Sequence, residues 1–421
     1  MRLIYNTGIY LYKCLIHFAA LFNSKASDFV KGRKDTFPDL KTFRGNIGDA
    51  PLIWIHSASL GEFEQGRPVI EQLKKSWPEY KILLTFFSPS GYNIRKDYDL
   101  ADHVCYLPMD TPGNALRFYK AIRPDLAVFV KYEFWYNHLS VLKKHKVPHI
   151  LISAIFRQDQ VFFKWYGGFF KRLLKGFDHI FVQDQGSRQL LRNIGIEHCS
   201  LAGDTRVDRV SDIAKQAKRF PEIEQFVGNS KVFVAGSTWP KGEEVICPLI
   251  NNDLPEDWKV ILAPHEITEG HLKDIEKRLE LTTIRYSKLE INPQPEARVL
   301  IIDNIGMLAS LYKYGTLAYI GGGFGVGIHN ILEPATFGLP VLFGPNHEKF
   351  REAVELRKRG GAFSVSEYDD LNDVFKSMLE EKKYAAAKNA SRSFIDENKG
   401  ATDLIISYLA GKFITRLQAK Q

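Results

Sequence analysis

Cysteine is scarce and unpaired in this sequence. The 421 residues contain four, Cys14, Cys105, Cys199 and Cys247, far apart and in no ligand-like spacing. That excludes a disulfide framework, gives no support to a Cys-rich zinc site, and fits a reduced, cytoplasmic setting. Internal repeats and low-complexity tracts are absent. The ordinary balance of 45% hydrophobic, 13% aromatic and 25% charged residues excludes a disordered or fibrous chain. No Gly-x-Ser-x-Gly elbow occurs. In the one Gly-rich stretch, residues 321–327, no three glycines fall at the dinucleotide spacing i, i+2, i+5, and no Walker lysine follows. Charge of one sign is only slightly in excess: 57 Lys and Arg against 49 Asp and Glu leave a net +8. Such a balance suits nucleic acid, an anionic membrane surface or small anionic substrates, and composition does not choose among them.

What is present begins at the amino end. From Leu3 to Phe22 the chain reads LIYNTGIYLYKCLIHFAALF, about the ~20 residues a bilayer crossing takes, but Asn6, Lys13 and His17 interrupt it. No small-residue cleavage site follows, so a signal peptide is not expected. With Lys25, Lys31, Arg33 and Lys34 behind it, the segment is expected to be an amphipathic helix in a membrane interface, its bases drawn to anionic lipid. A second basic-aromatic stretch, 156–177, sets Phe162, Phe163, Trp165, Tyr166, Phe169 and Phe170 among Lys164, Lys171 and Arg172, which suits the same headgroup layer.

Beyond about Ile47, short apolar runs alternate with helix-length segments. Strands are expected at 52–56, 81–87, 126–130, 149–152 and 179–183, then at 232–235, 260–263, 299–302, 317–320 and 340–342. The alternation predicts βαβ units and two parallel-sheet domains, with the polar stretch 208–221 as the boundary between them. In doubly wound sheets, ligands bind at the carboxyl ends of the strands.

Chemistry-bearing residues cluster just after these runs. After the first strand, HSASLGEFEQGRP places Ser59 and Gly61 where a substrate can approach the backbone, and Glu62 in the first helical turn as a candidate general base or a mere helix-end charge. After Leu126–Val130, KYEFWYN brings Glu133, Trp135 and Asn137. GDTRVDRV puts Arg206 near the domain boundary. In the second half, GSTWPKGEE offers Ser237 and Thr238 as phosphate donors or helix caps, and GGGFGVGIHNILEPATFGLP offers Gly322 and Gly323 as an amide cradle at the coming helix N-terminus, unless the glycines only permit tight strand–helix packing. His329 and Glu333, four apart, would share a helix face, but two ligands make a weak metal site. Asn330 and Glu333 suit the vicinal hydroxyls of a ribose. Asp97-Tyr98-Asp99 lies in a polar stretch and reads as solvated surface.

Taken in order, SASLGE, the Glu133–Asn137 run, GSTWPKGEE and HNILEPATFGLPVLFGP resemble the Kdo transferases, which add 3-deoxy-D-manno-octulosonic acid to a lipid A precursor. The resemblance implies an α/β GT-B fold, with two facing Rossmann-like domains, a cleft between them and an N-terminal membrane-associated helix. It divides the chain into that helix and its basic flank (1–34), an acceptor domain (35–210), a CMP-Kdo donor domain (211–400) and a returning C-terminal helix (401–421). It implies Glu62 as proton acceptor, Glu133 and Arg206 as transition-state stabilisers, and Ser59 and Gly61 on the acceptor side. For CMP-Kdo it implies Pro264, His265, Ile305, Gly306, Met307, Asn330, Ile331, Leu332 and Glu333, beside Ser237, Thr238, Gly322 and Gly323. No metal or cofactor is expected. The partners implied are CMP-Kdo, a lipid A precursor and the anionic inner-membrane surface at its cytoplasmic face, with no nucleic acid. The family commonly has Lys where Arg206 stands and Glu where Met307 stands, so a contact at Met307 is expected from backbone. The runner-up readings are another GT-B enzyme, such as a lipid-linked N-acetylglucosaminyl transferase or a UDP-sugar epimerase, and a nonenzymatic membrane- or nucleic-acid-binding protein.

Overall fold

A computed structural model describes residues 1–289, 294 and 296–414. The chain forms two compact units, Met1–Asp208 together with the chain from Lys399, and Arg209–Asn398. The division falls inside the helix Thr205–Lys215, so the polar boundary stretch is a helix over most of its length rather than an open linker. The end of the expected C-terminal segment, 415–421, lies outside the described residues.

The first unit carries β1 (Leu52–Ser57), β2 (Lys81–Phe86), β3 (His103–Tyr106), β4 (Leu126–Val130), β5 (His149–Ala154), β6 (His179–Val182) and β7 (Cys199–Leu201). They form one parallel sheet in the order β3-β2-β1-β4-β5-β6-β7. The second unit carries β8 (Lys231–Thr238), β9 (Trp258–Pro264), β10 (Thr283–Arg285), β11 (Val299–Ile301), β12 (Leu317–Ile320), β13 (Val341–Phe343) and β14 (Ala362–Ser364). Its parallel order is β10-β11-β9-β8-β12-β13-β14. The central strands are covered on both faces, so they are apolar throughout: LAVFV in β4 is buried at every residue. The four strands not expected from the sequence, β3, β7, β10 and β14, are the two edges of each sheet. They hold only three or four residues, such as TIR and CSL, because a strand paired on one side needs no continuous apolar run.

Chain order reverses between β1 and β4 in the first sheet and between β8 and β12 in the second. Such a switch point leaves a crevice at the strands' carboxyl ends, and the segments that follow these four strands are the ones singled out above.

The amino end is a helix, Arg2–Ala19, none of whose residues is buried. Leu3, Ile4, Leu11, Leu15 and Phe18 stand exposed along it. No helix among the described residues is long and apolar enough to cross a membrane. Arg33 departs from the expected lipid-facing flank. Its guanidinium donates to the carbonyls of Leu107, Phe29 and Phe87 at 3.0, 2.8 and 2.5 Å and lies 3.5 Å from the Phe29 ring centroid. Burial lowers it to about 9, so this cation is part of the fold. The second basic-aromatic stretch is divided: Phe162 and Phe169 are buried and Phe163 and Phe170 partly so, while Trp165 and Tyr166 stand exposed beside Lys164. At the carboxyl end, the helix Ala401–Leu409 and the turn after it put Ile405, Leu409, Phe413 and Ile414 into the same core cluster as Ile53, Phe63 and Val69. Asp208 caps that helix, accepting from Gly400 N–H at 2.6 Å and Thr402 N–H at 2.7 Å.

Candidate active site

In the first unit the site is built on the ends of β1 and β4. Small residues after β1 let the chain turn at Ala58 and Ser59 into the helix Leu60–Ser76. Glu62 folds back from the first turn of that helix, and Ala58 N–H donates to its carboxyl at 2.6 Å. Burial first, and then the charge of Glu133, push Glu62 up to about 8, against the backbone N–H groups and Lys131, which pull it down. A carboxyl with that setting can take a proton near neutral pH. Gly61 is exposed, and a Cβ built on it meets nothing within 4 Å, so the fold leaves open space there. Ser59 is the N-cap residue, but its side chain makes no cap bond.

Glu133 is buried beneath this turn. His56 Nε2 lies 2.9 Å from its Oε2 and Trp135 Nε1 donates to the same oxygen at 2.5 Å. Between Val130 and Glu133 the backbone passes through Lys131 at φ +67°, a left-handed conformation uncommon for a residue with a side chain. Lys131 acts electrostatically on both Glu62 and Asp204. Arg206 is turned onto Asp204, with Nε 3.0 Å and Nη2 2.6 Å from Asp204 Oδ2. Burial would raise the Asp204 carboxyl, but the charge and hydrogen bonds of Arg206 hold it below its ordinary range.

The second unit gathers its residues after β8, β9 and β12. Trp239 Nε1 donates to His329 Nε2 at 2.9 Å, and the two rings lie within 4° of one plane. His265 stacks across their junction, its centroid 4.6 Å from Trp239 and 4.5 Å from His329. Burial first and then His265 hold His329 below its ordinary value, as an acceptor nitrogen requires. Beside this ring platform a cavity of about 450 Å³ is lined by Trp239, Lys241, Gly322, Phe324, Gly325 and His329 among others.

Several expectations change here. His329 lies before the helix Leu332–Thr336, so it shares no helix face with Glu333, and its ring is engaged by Trp239. No group of three metal-binding side chains occurs among the described residues. The glycines do not lead straight into a helix N-terminus: a Cβ on Gly321 would lie 1.9 Å from the Ser237 carbonyl oxygen, and one on Gly323 would lie 2.6 Å from Gly344 N. Both are needed for backbone to pass backbone, whereas Gly322 adopts φ +89° and borders the cavity. The Thr238 hydroxyl is buried and donates to Glu243 at 2.8 Å, so it is turned away from a ligand. Glu243 is itself held by His271 Nε2 at 2.9 Å. Ser237 is in the left-handed region at φ +51°.

Among the nucleotide candidates, Pro264 ends β9 and His265 is exposed after it. Ile305 and Gly306 are exposed in the loop after β11, and Met307 is buried. Ile331 and Leu332 are buried too, so any contact from these three is through backbone. Asn330 Nδ2 donates to Glu333 Oε1 at 3.0 Å, bringing that pair together. Both members of Asp97 and Asp99 are exposed around a buried Tyr98. A larger cavity, about 830 Å³, is lined by Arg123, Asp125, Lys143, Lys146 and Asp178 among others. It sits at the amino ends of the first sheet, away from every site residue named above.

Sequence reasoning gave no role to His56, Lys131, Asp204 or Trp239. The signal available for each was its place near the carboxyl end of a parallel strand: His56 within β1, Lys131 and Trp239 directly after β4 and β8, and Asp204 shortly after β7.

Residues 33–209 match the family model for "3-Deoxy-D-manno-octulosonic-acid transferase (kdotransferase)". A 3-deoxy-D-manno-octulosonic acid transferase of Aquifex aeolicus is 30% identical over 346 residues, covering 81% of this chain and 89% of that protein. One from Rickettsia typhi is 27% identical over 364 residues, 84% and 78% of the two chains. In fold, the chain is similar to a UDP-GlcNAc 2-epimerase from Neisseria meningitidis bound to UDP-GlcNAc, with TM-score 0.58 and 17% identity over 86% of this chain and 100% of that one.

Proposed function

This chain belongs to the 3-deoxy-D-manno-octulosonic acid transferase family, and on that premise we propose that it moves Kdo from CMP-Kdo to a lipid A precursor with Glu62 as the base. It is a glycosyltransferase of lipopolysaccharide synthesis. In our reading the two units are the acceptor and donor domains of a GT-B enzyme. The observation that carries the mechanism is the half-buried Glu62 carboxyl at the end of β1, pushed up to about 8 beside Glu133.

The proton of an acceptor hydroxyl passes to the Glu62 carboxylate. The oxygen forms its bond to the anomeric carbon of Kdo as the bond from that carbon to the phosphate oxygen breaks, and CMP departs with the electron pair. A single displacement from the opposite face inverts the anomeric centre, through a transition state with oxocarbenium character. We assign Glu133, beside Glu62, to stabilising that transition state. The reading assigns no metal: charge growing on the CMP phosphate is met by backbone N–H groups after β8 and β12. The Asn330–Glu333 pair suits the ribose hydroxyls, with Pro264, His265, Ile305, Gly306 and Met307 around the nucleotide.

We place the enzyme on the cytoplasmic face of the inner membrane. The exposed apolar side chains of Arg2–Ala19 and the open rings of Trp165 and Tyr166 support that placement. The test of the mechanism is Glu62→Gln with CMP-Kdo and a lipid A precursor. Loss of a general base costs about 10²–10⁴-fold in rate. Near-normal turnover by the folded variant would remove Glu62 from the role.

A further inference from the structure

His56 takes no part in the chemistry above, yet both of its ring nitrogens are engaged in a site closed to water. It is fully buried at the end of β1. Nδ1 lies 3.1 Å from the Thr85 carbonyl oxygen and 2.9 Å from Thr85 Oγ1. The carbonyl can only accept, and the Thr85 hydroxyl, which accepts from Trp54 Nε1 at 2.8 Å, donates its own hydrogen to the Ile55 carbonyl at 3.4 Å, so Nδ1 carries a hydrogen. Nε2 then faces Glu133 Oε2 at 2.9 Å. Two bare lone pairs at that separation, in a buried pocket, would repel, and a proton between them turns the contact into a hydrogen bond. The Trp135 Nε1–H is shared between the two, donating to Glu133 Oε2 at 2.5 Å and to His56 Nε2 at 3.1 Å. Glu133 is also the group whose negative charge opposes ionisation of Glu62.

We propose that His56 is a positioning residue for the transfer: the proton it shares with Glu133 fixes and neutralises the carboxylate beside Glu62, and so sets the pH at which Glu62 can accept a proton. The proposal rests on the reading of Glu62 as base. Other groups face these three. Glu62 also meets Lys131, Tyr132 and the N–H groups of Ala58 and Ser59. Glu133 is felt by Tyr5 of the amino-terminal helix. His56 is felt by His138 of the helix Tyr136–Lys144, which burial holds below its ordinary value. None of them stands on the His56–Glu133 axis.

The experiment is kcat/KM of the full chain against pH, with CMP-Kdo and a lipid A precursor in detergent. Wild type gives a rising limb as Glu62 ionises. His56→Gln keeps a donor for Glu133 but brings no proton, so the midpoint moves up by about one pH unit, a tenfold loss on the limb that higher pH recovers. Glu133→Gln leaves that site uncharged, as the shared proton does in wild type, so the midpoint does not rise, and adding His56→Gln to it moves the midpoint no further. A uniform loss at every pH with an unmoved midpoint overturns the proposal, as does an undiminished shift in the double variant. Failure of Glu62 as base looks different: Glu62→Gln then turns over normally and keeps the limb. Should His56→Gln fail to fold, proton NMR of wild type decides. A far-downfield resonance that vanishes in Glu133→Gln supports the shared proton, and its absence overturns it.

Discussion

Asp110 offers a stringent test of how the amino-terminal helix and the catalytic loop are joined. It is fully buried in the loop after β3. Its Oδ2 accepts from Tyr5 Oη at 2.7 Å and from Asn137 N–H at 2.9 Å, and its Oδ1 accepts from His138 N–H at 2.9 Å. One carboxylate thus caps the helix Tyr136–Lys144, directly after Glu133 and Trp135, and fastens the helix Arg2–Ala19 by Tyr5. In Asp110→Asn one oxygen becomes an N–H₂ group facing two donors. The Tyr5 hydroxyl can turn round and accept, but Asn137 N–H is left unsatisfied, which costs about 1–3 kcal/mol. Loss of the negative charge at the helix N-terminus costs a further ~0.3–2 kcal/mol, partly offset because a neutral amide is cheaper to bury than a carboxylate. The sum is about 2–4 kcal/mol of local stability. Tyr5→Phe removes one hydrogen bond to a charged group, about 1.5–3 kcal/mol, and the longer bond its oxygen accepts from Tyr136 N–H at 3.3 Å, but leaves the Asp110 cap on Asn137 and His138 N–H intact. Hydrogen–deuterium exchange read peptide by peptide is the assay, since a chain of two units does not unfold as one transition. Asp110→Asn should speed exchange in residues 136–144 and in residues 2–19. Tyr5→Phe should speed it in residues 2–19 and, of the second helix, at Tyr136 alone. Protection of residues 136–144 in Asp110→Asn within about 0.5 kcal/mol of wild type, on the usual scale of surface substitutions, would refute the reasoning.

Three other outcomes are expected. Gly61→Ala should fold and gain up to ~1 kcal/mol as an exposed first-turn helix position, yet raise KM for the lipid acceptor, because the methyl enters space the fold leaves open; unchanged KM would mean nothing docks there. A fluorophore on Cys14, which is exposed while Cys105, Cys199 and Cys247 are buried, should shift to the blue on vesicles containing anionic lipid and stay unchanged on neutral ones; no shift on either would detach the helix Arg2–Ala19 from the membrane. In thermal-shift titration, CMP should raise the melting midpoint and UDP should not, and the reverse order would favour an epimerase-like donor site.

The sequence was informative where burial is symmetrical and quiet where it is not. Interior strands such as β4 and β12 announce themselves because every residue must be apolar, whereas β3, β7, β10 and β14 are edges and carry no such demand. The site follows the same division. Glu62 and Glu133 sit directly after legible strands, so their positions could be read. His56 reads as the last residue of a strand, and only its contact with Glu133, 77 positions away, gives it a task. The glycines of residues 321–327 were ambiguous between cradle and packing because that depends on a neighbouring backbone, and in the fold Gly321 and Gly323 are spent on passing Ser237 and Gly344. Arg33 misled for a related reason: a base in a run of bases looks solvated until three carbonyls are found around it.

The helix Ala401–Leu409, capped by Asp208 and packed among residues of β1 and the helix after it, has a consequence for synthesis. A ribosome delivers the chain from the amino end, yet the first unit lacks Ile405, Leu409 and Phe413 until the second unit has been made in full. The later-encoded unit, Arg209–Asn398, is therefore the first whose core can close, and the earlier one waits with part of its apolar surface open to whatever the nascent chain meets.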